Sequence, residues 1–179
     1  MPWGILNLLT GLVVIVLGTG HETSDFWVDC LRLWWQRSKA SWPAVRRLVL
    51  RLDNGPANAS DRRVWLKRLV QFANESGLEL RLVYYPPYHS KYNPIERVWG
   101  ALERHWNGTL LRTLEEVREW AQTMTWEGTQ PDVECLDGAY PKGARVPQEE
   151  MRLYLEQVER SSTLPKWDVT IKPKSHNRG

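Results

Sequence analysis

Apolar and polar positions along the chain predict strands that alternate with helices. Residues 1–20 carry no charge, and the apolar run at 12–17 is rich in β-branched side chains, which favours a buried strand. We predict strands at 3–7 and 12–17, joined by a turn as a hairpin. A membrane anchor is the alternative for this stretch, because about 20 apolar residues can cross a bilayer.

Beyond the hairpin, helical and strand periodicities follow one another, and several boundaries carry capping residues. Predicted helices run from a cap at 23–25 to about 36, from Ser60 to Ser76, from Asn93 to about Trp106, from a capping box at Thr113 and Glu116 to Met124, and over 148–160. Predicted strands are 47–52, 78–84 and about 167–171, and 127–147 is predicted to be loop-rich. This order predicts an α/β fold, a sheet with helices packed on its faces.

Basic residues are concentrated in parts of the chain, although the formal net charge is only +3. Residues 31–51 hold six basic residues and no acid, and residues 160–179 hold five basic residues and one acid. Such runs favour a polyanionic partner such as DNA, since phosphate contacts dominate nucleic-acid affinity. The alternative is a solvated helix face. The candidate DNA contacts in or near these runs are Arg46, Arg47, Arg62 and Arg63.

The composition excludes several classes of protein. Hydrophobic residues at 42% and charged residues at 25% exclude a wholly disordered chain. The two cysteines, Cys30 and Cys135, cannot build a disulfide framework or a four-thiolate zinc site. We expect two buried thiols, a reducing compartment and no small-molecule cofactor.

Two acidic residues lie at positions where catalytic sites are expected in such a fold. Asp53 follows a strand predicted to be buried, and Glu96 lies in the first turn of a predicted helix. Sites assemble at the C-terminal ends of strands in α/β sheets, and paired carboxylates suit Mg²⁺. Each acid also has a structural interpretation. Asp53 opens an Asp-Asn-Gly turn, and Glu96 has capping-box spacing from Asn93.

Two longer motifs contain these acids. Segment 51–58, Arg-Leu-Asp-Asn-Gly-Pro-Ala-Asn, resembles the second-acid strand of DDE-type insertion-sequence transposases. Segment 85–99 resembles their third-acid motif, in which a Pro-Pro loop precedes Asn-x-Ile-Glu. Similarity at 18–26 and 167–173 extends the match over most of the chain. The chain resembles the Rhodopirellula-type transposase DDE domain, a group akin to mariner-like transposases.

The resemblance implies an RNase H-like mixed sheet with flanking helices, plus a C-terminal helical and strand appendage. We expect 1–110 to be the catalytic part and 111–179 its extension. Asp53 and Glu96 would be the second and third acids, and the family holds two Mg²⁺ or Mn²⁺ ions on three carboxylates. Transposon ends and target DNA would be the partners, in a cytoplasmic, nucleoid-associated bacterial protein. Further candidate DNA contacts near the third acid are Tyr88, Lys91 and Arg97.

One departure from the family pattern concerns the first acid, which lies on a strand before the hairpin. No Asp or Glu occurs before Glu22. We therefore expect a C-terminal fragment that lacks the first strand and is inactive alone, with an upstream-encoded transposase segment or a second copy as its partner. The rival functions are a noncatalytic DNA-binding remnant and a small membrane-anchored protein.

Overall fold

The computed structural model describes residues 1–86, 89, 92–109 and 112–174. The strands are β1 (Pro2–Leu6), β2 (Val13–Gly18), β3 (Arg47–Leu52), β4 (Glu79–Tyr84), β5 (Asp132–Leu136), β6 (Val158–Arg160) and β7 (Asp168–Ile171). The helices are α1 (Ser24–Ser38), α2 (Arg63–Ser76), α3 (Ile95–Trp106), α4 (Leu114–Gln122) and α5 (Gln148–Leu155), with a 3₁₀ turn at Lys39–Ser41. The chain forms two compact units, Met1–Glu22 with Lys91–Pro141 and Thr23–Ser90 with Lys142–Gly179.

The first unit contains the predicted hairpin. Strands β1 and β2 pair antiparallel, and Asn7 donates its backbone N–H to the Leu12 carbonyl at 2.9 Å to close the turn. Gly11 takes a positive φ of 73°, which glycine adopts without steric cost. The hairpin prediction is confirmed. Among the described residues, no helix combines the length and the apolar character needed to cross a membrane.

Strand β5 completes the sheet of the first unit, in the order β1-β2-β5. It lies parallel to β2, with Val133 opposite Ile15. The loop-rich segment predicted at 127–147 therefore also contains a five-residue strand that the sequence pattern did not indicate. Helices α3 and α4 cover the sheet and bury Val98, Leu102 and Ala121 against it.

The second unit has a mixed sheet in the order β3-β4-β7-β6. Strands β3 and β4 run parallel, whereas β7 is antiparallel to both β4 and β6. The face that carries Leu80, Leu82, Val169 and Ile171 is fully buried, and helix α2 packs on β4 and β7. Together the two units form a mixed α/β architecture that is compatible with an RNase H-like fold.

Strand β3 differs from its prediction, although its bounds are as predicted. It is an edge strand, and side chains alternate between exposed and partly covered along it until Leu52, which is buried. The interpretation of β3 as a buried strand is therefore wrong. Only β4 pairs with it in this sheet, and on one face the side chains of Arg47, Val49 and Arg51 are exposed.

Several predicted helix boundaries are displaced. Helix α2 begins at Arg63, and its N-cap residue Arg62 makes no side-chain capping bond; the predicted cap Ser60 lies in the preceding loop. Helix α3 has Pro94, not Asn93, at its N-cap position. The predicted helix over 148–160 ends at Leu155, and Val158–Arg160 forms β6 instead.

Other local predictions are confirmed. Gly77 ends α2 in the left-handed conformation, with its N–H bonded to the Ala73 carbonyl. Thr113 and Glu116 form both bonds of the capping box that starts α4. Cys30 is buried, and burial raises the pKa of its thiol. Cys135 is only partly covered, which corrects the expectation of two buried thiols.

Candidate functional site

Asp53 directly follows β3, at the C-terminal end of the parallel pair β3 and β4. Its side chain folds back over the loop that it begins. Oδ1 accepts a hydrogen bond from Asn58 Nδ2 at 2.9 Å and one from the Gly55 N–H at 3.3 Å. Asn54 adopts a positive φ of 62°, and its Oδ1 accepts the Ser60 N–H at 3.0 Å. Side-chain hydrogen bonds within the loop thus help to fix its backbone.

Hydrogen bonds from other elements hold the same loop in place. Ser24, at the start of α1, donates its hydroxyl to the Ala57 carbonyl at 2.6 Å, and Arg62 Nε donates to that hydroxyl at 2.9 Å. Arg160 Nη2, from β6, donates to the Ser60 carbonyl at 2.7 Å. Since α1, α2 and β6 all fix this loop, Asp53 projects from a preorganised support.

A buried polar contact lies beside this support. Tyr84 ends β4 opposite Leu52, and its hydroxyl accepts a hydrogen bond from Trp65 Nε1 at 3.0 Å. Burial raises the pKa of Tyr84, which therefore stays neutral across the physiological range. The phenol and the indole connect α2 to the strand next to the Asp53 loop.

Glu96 is exposed in the first turn of α3, where the helix dipole favours a negative charge. Its backbone N–H donates to the Asn93 carbonyl at 3.0 Å. The helix is anchored by Val98 and Leu102, which are buried against the hairpin sheet. Glu96 belongs to the first unit and Asp53 to the second, and the approach of the two carboxylates stays a prediction.

The candidate DNA contacts are all on the surface or half-buried, where the structure describes them. Arg46 donates to its own loop, to the carbonyls of Pro43 and Val45. Arg63 donates to the Val146 carbonyl at 3.4 Å, and Arg97 is exposed on α3. Arg62 Nε donates a hydrogen bond to the Ser24 hydroxyl, and Arg47 forms an ion pair with Glu79 at 2.6 Å. Tyr88 and Lys91 lie outside the described residues.

Acids from distant positions neutralise part of the basic clusters. Arg32 pairs with Asp29 and with Glu75, which is 43 residues away in sequence. Lys67 pairs with Glu150, and Lys172 pairs with Glu159, both at 2.6 Å. The acid-free run at 31–51 is therefore partly compensated in the folded chain. Arg51, by contrast, has no ion-pair partner in the described part of the chain.

Comparison with protein families finds a match over most of the chain. The family described as Rhodopirellula transposase DDE domain matches residues 1–173. The chain belongs to this DDE transposase family. No curated protein matches it, and no solved structure matches it. The family relationship supports a transposase-related function with DNA as the partner.

DDE transposases generally use divalent metal ions. The described residues of this chain contain no group of three or more His, Cys, Asp or Glu side chains that could hold a metal. The Asp53 loop nevertheless offers hard oxygen donors: Asp53 Oδ2 accepts no hydrogen bond from the described residues, and the buried Oδ1 of Asn58 has no partner there. Oxygen donors of this kind suit Mg²⁺ and Mn²⁺.

The residues that support Asp53 are not among those predicted from the sequence. Asn58 lies within the quoted motif, five positions after Asp53, which is a spacing that an Asx-type loop can span. Ser24 and Arg160 carry no such local indication, because they reach the loop from positions far away in the sequence.

Proposed function

We propose that this chain contributes Asp53 and Glu96 to a divalent-cation-dependent phosphoryl transfer that nicks transposon ends and joins them to target DNA. Family membership over residues 1–173 carries the proposal. The strand-end position of Asp53 and its hydrogen-bonded support are consistent with a metal-ligand role. In this proposal 1–110 remains the catalytic part and 111–179 its extension.

Divalent cations, when bound, would stabilise the attacking and leaving oxygens of an in-line displacement. The residues of this chain would bind and orient those cations. Asn58 and Gly55 donate hydrogen bonds to Oδ1 of Asp53, so Oδ2 is left available to a cation. Glu96 would supply a second carboxylate from the rigid first turn of α3.

The proposed reaction needs a third carboxylate. Strands β1 and β2 contain no Asp or Glu, so neither strand of the hairpin supplies the family's first acid. We infer that a carboxylate from a segment outside the two motifs supplies it. A noncatalytic DNA-binding role is the rival, and the lack of a three-ligand metal group among the described residues favours that rival.

Mn²⁺ titration calorimetry tests the metal-binding role of both acids. We expect weak Mn²⁺ binding by the chain, weakened by roughly tenfold or more in Asp53→Asn and in Glu96→Gln, since each removes a ligand charge. Matched controls are Asp137→Asn, which alters another exposed strand-end aspartate, and Glu103→Gln, which alters an exposed glutamate of α3. Equal Mn²⁺ affinity in the chain and both site variants would show that the acids are structural and would overturn the proposal.

A further inference from the structure

Asn58 makes an incomplete set of hydrogen bonds for a buried amide. Its residue is 0% exposed, and its Nδ2 donates to Asp53 Oδ1 at 2.9 Å. Its Oδ1 has no hydrogen-bond partner among the described residues and is shielded from bulk water. A buried acceptor without a partner is unfavourable, and such atoms in native proteins usually meet an ion or an ordered water.

The orientation of this amide is determined by Asp53. If the amide were flipped, the Asn58 oxygen would face Asp53 Oδ1, and two acceptors would meet with no hydrogen between them. The nitrogen must therefore face Asp53. The oxygen is left to point to the other side of the amide, where no described residue donates to it.

Gly55 leaves a space beside these oxygens. An ideal Cβ on Gly55 would lie 3.5 Å from both carboxylate oxygens of Asp53 and 3.6 Å from Asn58 Oδ1. Three side-chain oxygens thus converge on one point next to the Gly55 backbone. The φ of Gly55 is not in the left-handed region, so backbone conformation does not require glycine here. The absence of a side chain keeps the oxygen-lined space open.

We propose that Asn58 is a second ligand of the cation at Asp53, with its amide oxygen bound to the ion itself, and that Gly55 provides the space. This inference rests on the proposed function, because it takes Asp53 as a metal ligand. The occupant is a small, hard divalent cation such as Mg²⁺ or Mn²⁺, since all three converging atoms are oxygens. A base or a phosphate group is too large to approach the Asn58 amide oxygen, because bulk water does not reach that atom.

Four variants in Mn²⁺ calorimetry test this site, with thermal unfolding as the check that each one folds. Asn58→Ala removes the ligand and should weaken Mn²⁺ binding roughly 10- to 100-fold. Asn58→Asp keeps an oxygen and adds a charge, so it should bind Mn²⁺ at least as tightly as the unmodified chain. Gly55→Ala should fold normally, because its Cβ contacts are ordinary, but bind Mn²⁺ at least tenfold more weakly. Gly100→Ala, with a similarly open environment on α3, is the matched control and should bind normally.

Paramagnetic broadening gives a direct readout that does not depend on a variant. Mn²⁺ should broaden the side-chain NH₂ resonances of Asn58 far more than those of Asn74, whose amide is bonded to Gln157 in the same unit. Because Asn58 Nδ2 lies 2.9 Å from Asp53 Oδ1, strong broadening places the ion at this pair of side chains, and equal, weak broadening at both amides would overturn the inference. Gly55→Ala, whose Cβ contacts are ordinary, keeps the role of the Asn58 oxygen testable if Asn58→Ala does not fold.

The outcomes separate this inference from the proposed function. If Asp53→Asn weakens Mn²⁺ binding while Asn58→Ala and Gly55→Ala bind normally, Asn58 is not a ligand and only this inference fails. If Asp53→Asn binds as tightly as the unmodified chain, the metal-binding role of Asp53 fails. If the chain binds no Mn²⁺ at millimolar concentrations, the site proposed here is wrong, and the proposed function is then decided by DNA nicking with the third acid supplied.

Discussion

At the residue scale, Glu116 shows how one exposed carboxylate stabilises a helix start. It accepts the backbone N–H groups of Arg112 at 2.6 Å and Thr113 at 3.0 Å, while Thr113 Oγ1 accepts the Glu116 N–H. These bonds, the one from Arg112 first, hold the pKa of Glu116 below its ordinary value of 4.5. The carboxylate form is thus favoured in the folded chain over the unfolded one.

This pKa shift predicts a pH dependence of stability. Because the folded pKa is depressed, the stabilisation is complete above about pH 4.5 and is lost as the pH falls through the lower folded value. Glu116→Gln cannot titrate, so its melting temperature should fall less between pH 6 and pH 3 than that of the unmodified chain. Thermal unfolding monitored by circular dichroism checks this, with Glu119→Gln, an exposed neighbour on α4, as the control. Parallel pH profiles for the chain and Glu116→Gln would contradict the prediction.

At the element scale, α2 is connected to the second sheet by apolar burial and by one buried polar contact. Trp65 is 2% exposed, and its indole N–H finds its acceptor in the Tyr84 hydroxyl. The pair lies at the end of β4, beside the loop that carries Asp53. The packing of α2 and the position of the candidate site therefore depend on the same contact.

Tyr84→Phe should destabilise the chain. The substitution keeps the ring but leaves a buried indole N–H without an acceptor, which costs about 1–3 kcal/mol in the free energy of unfolding. Urea unfolding measures the change. Tyr85→Phe is the matched control, since Tyr85 is only partly buried. This variant should have the same free energy of unfolding as the unmodified chain. A Tyr84→Phe chain as stable as the control would show that the indole finds another acceptor.

At the scale of the whole molecule, some basic side chains form ion pairs with acids, whereas others bond to neutral groups. Arg81 and Asp168 form a cross-strand pair at 2.7 Å, and the guanidinium lowers the pKa of that carboxyl. Among the described residues, Arg46 and Arg63 bond only to carbonyl groups. Carbonyl groups leave the cationic charge available to a phosphate, whereas an ion pair reduces it.

We predict that the chain binds duplex DNA with little sequence preference and with an affinity that falls steeply between low and moderate salt. Arg46→Ala should reduce the slope of log affinity against log salt by about one, as expected for one lost phosphate contact. Arg81→Ala is the control and should leave the slope unchanged, because that side chain is paired with Asp168. Fluorescence anisotropy at several salt concentrations measures the slope. An affinity that strongly prefers one duplex and does not change with salt would contradict the prediction.

We further predict that the chain alone does not nick supercoiled plasmid in Mn²⁺. Two-metal phosphoryl transfer needs a carboxylate that holds both ions at their working separation, and the two motif acids do not suffice. Adding a segment that carries the family's first acid should restore metal-dependent nicking. Agarose electrophoresis of the plasmid is the assay, and Glu96→Gln is the control for contamination. Nicking by the chain alone that Glu96→Gln abolishes would show that no further acid is needed.

Much of the local structure could be predicted because the forces that determine it act between neighbouring residues. The hairpin follows from an uncharged β-branched run with a turn, and α4 begins at its capping box. The left-handed conformation of Gly77 ends α2 because glycine adopts it without a Cβ clash. Asp53 and Glu96 were located by their places within two motifs, one after a strand and one at a helix start.

Other features depend on partners that are distant in the sequence. Strands β5 and β6 are short, and their extended conformation is stabilised by pairing with β2 and β7. Arg32 and Lys67 lose their free charge only because folding brings Glu75 and Glu150 to them.

The sequence by itself determined the family, the two acids and most helix starts, since motifs, caps and periodicity are local properties of the chain. Only the tertiary structure decided that β3 is an edge strand, that Ser24 and Arg160 brace the loop after it, and that the oxygens of Asp53 and Asn58 converge beside Gly55. The physical reason is that hydrogen bonds and burial depend on distance in space, which sequence separation does not determine.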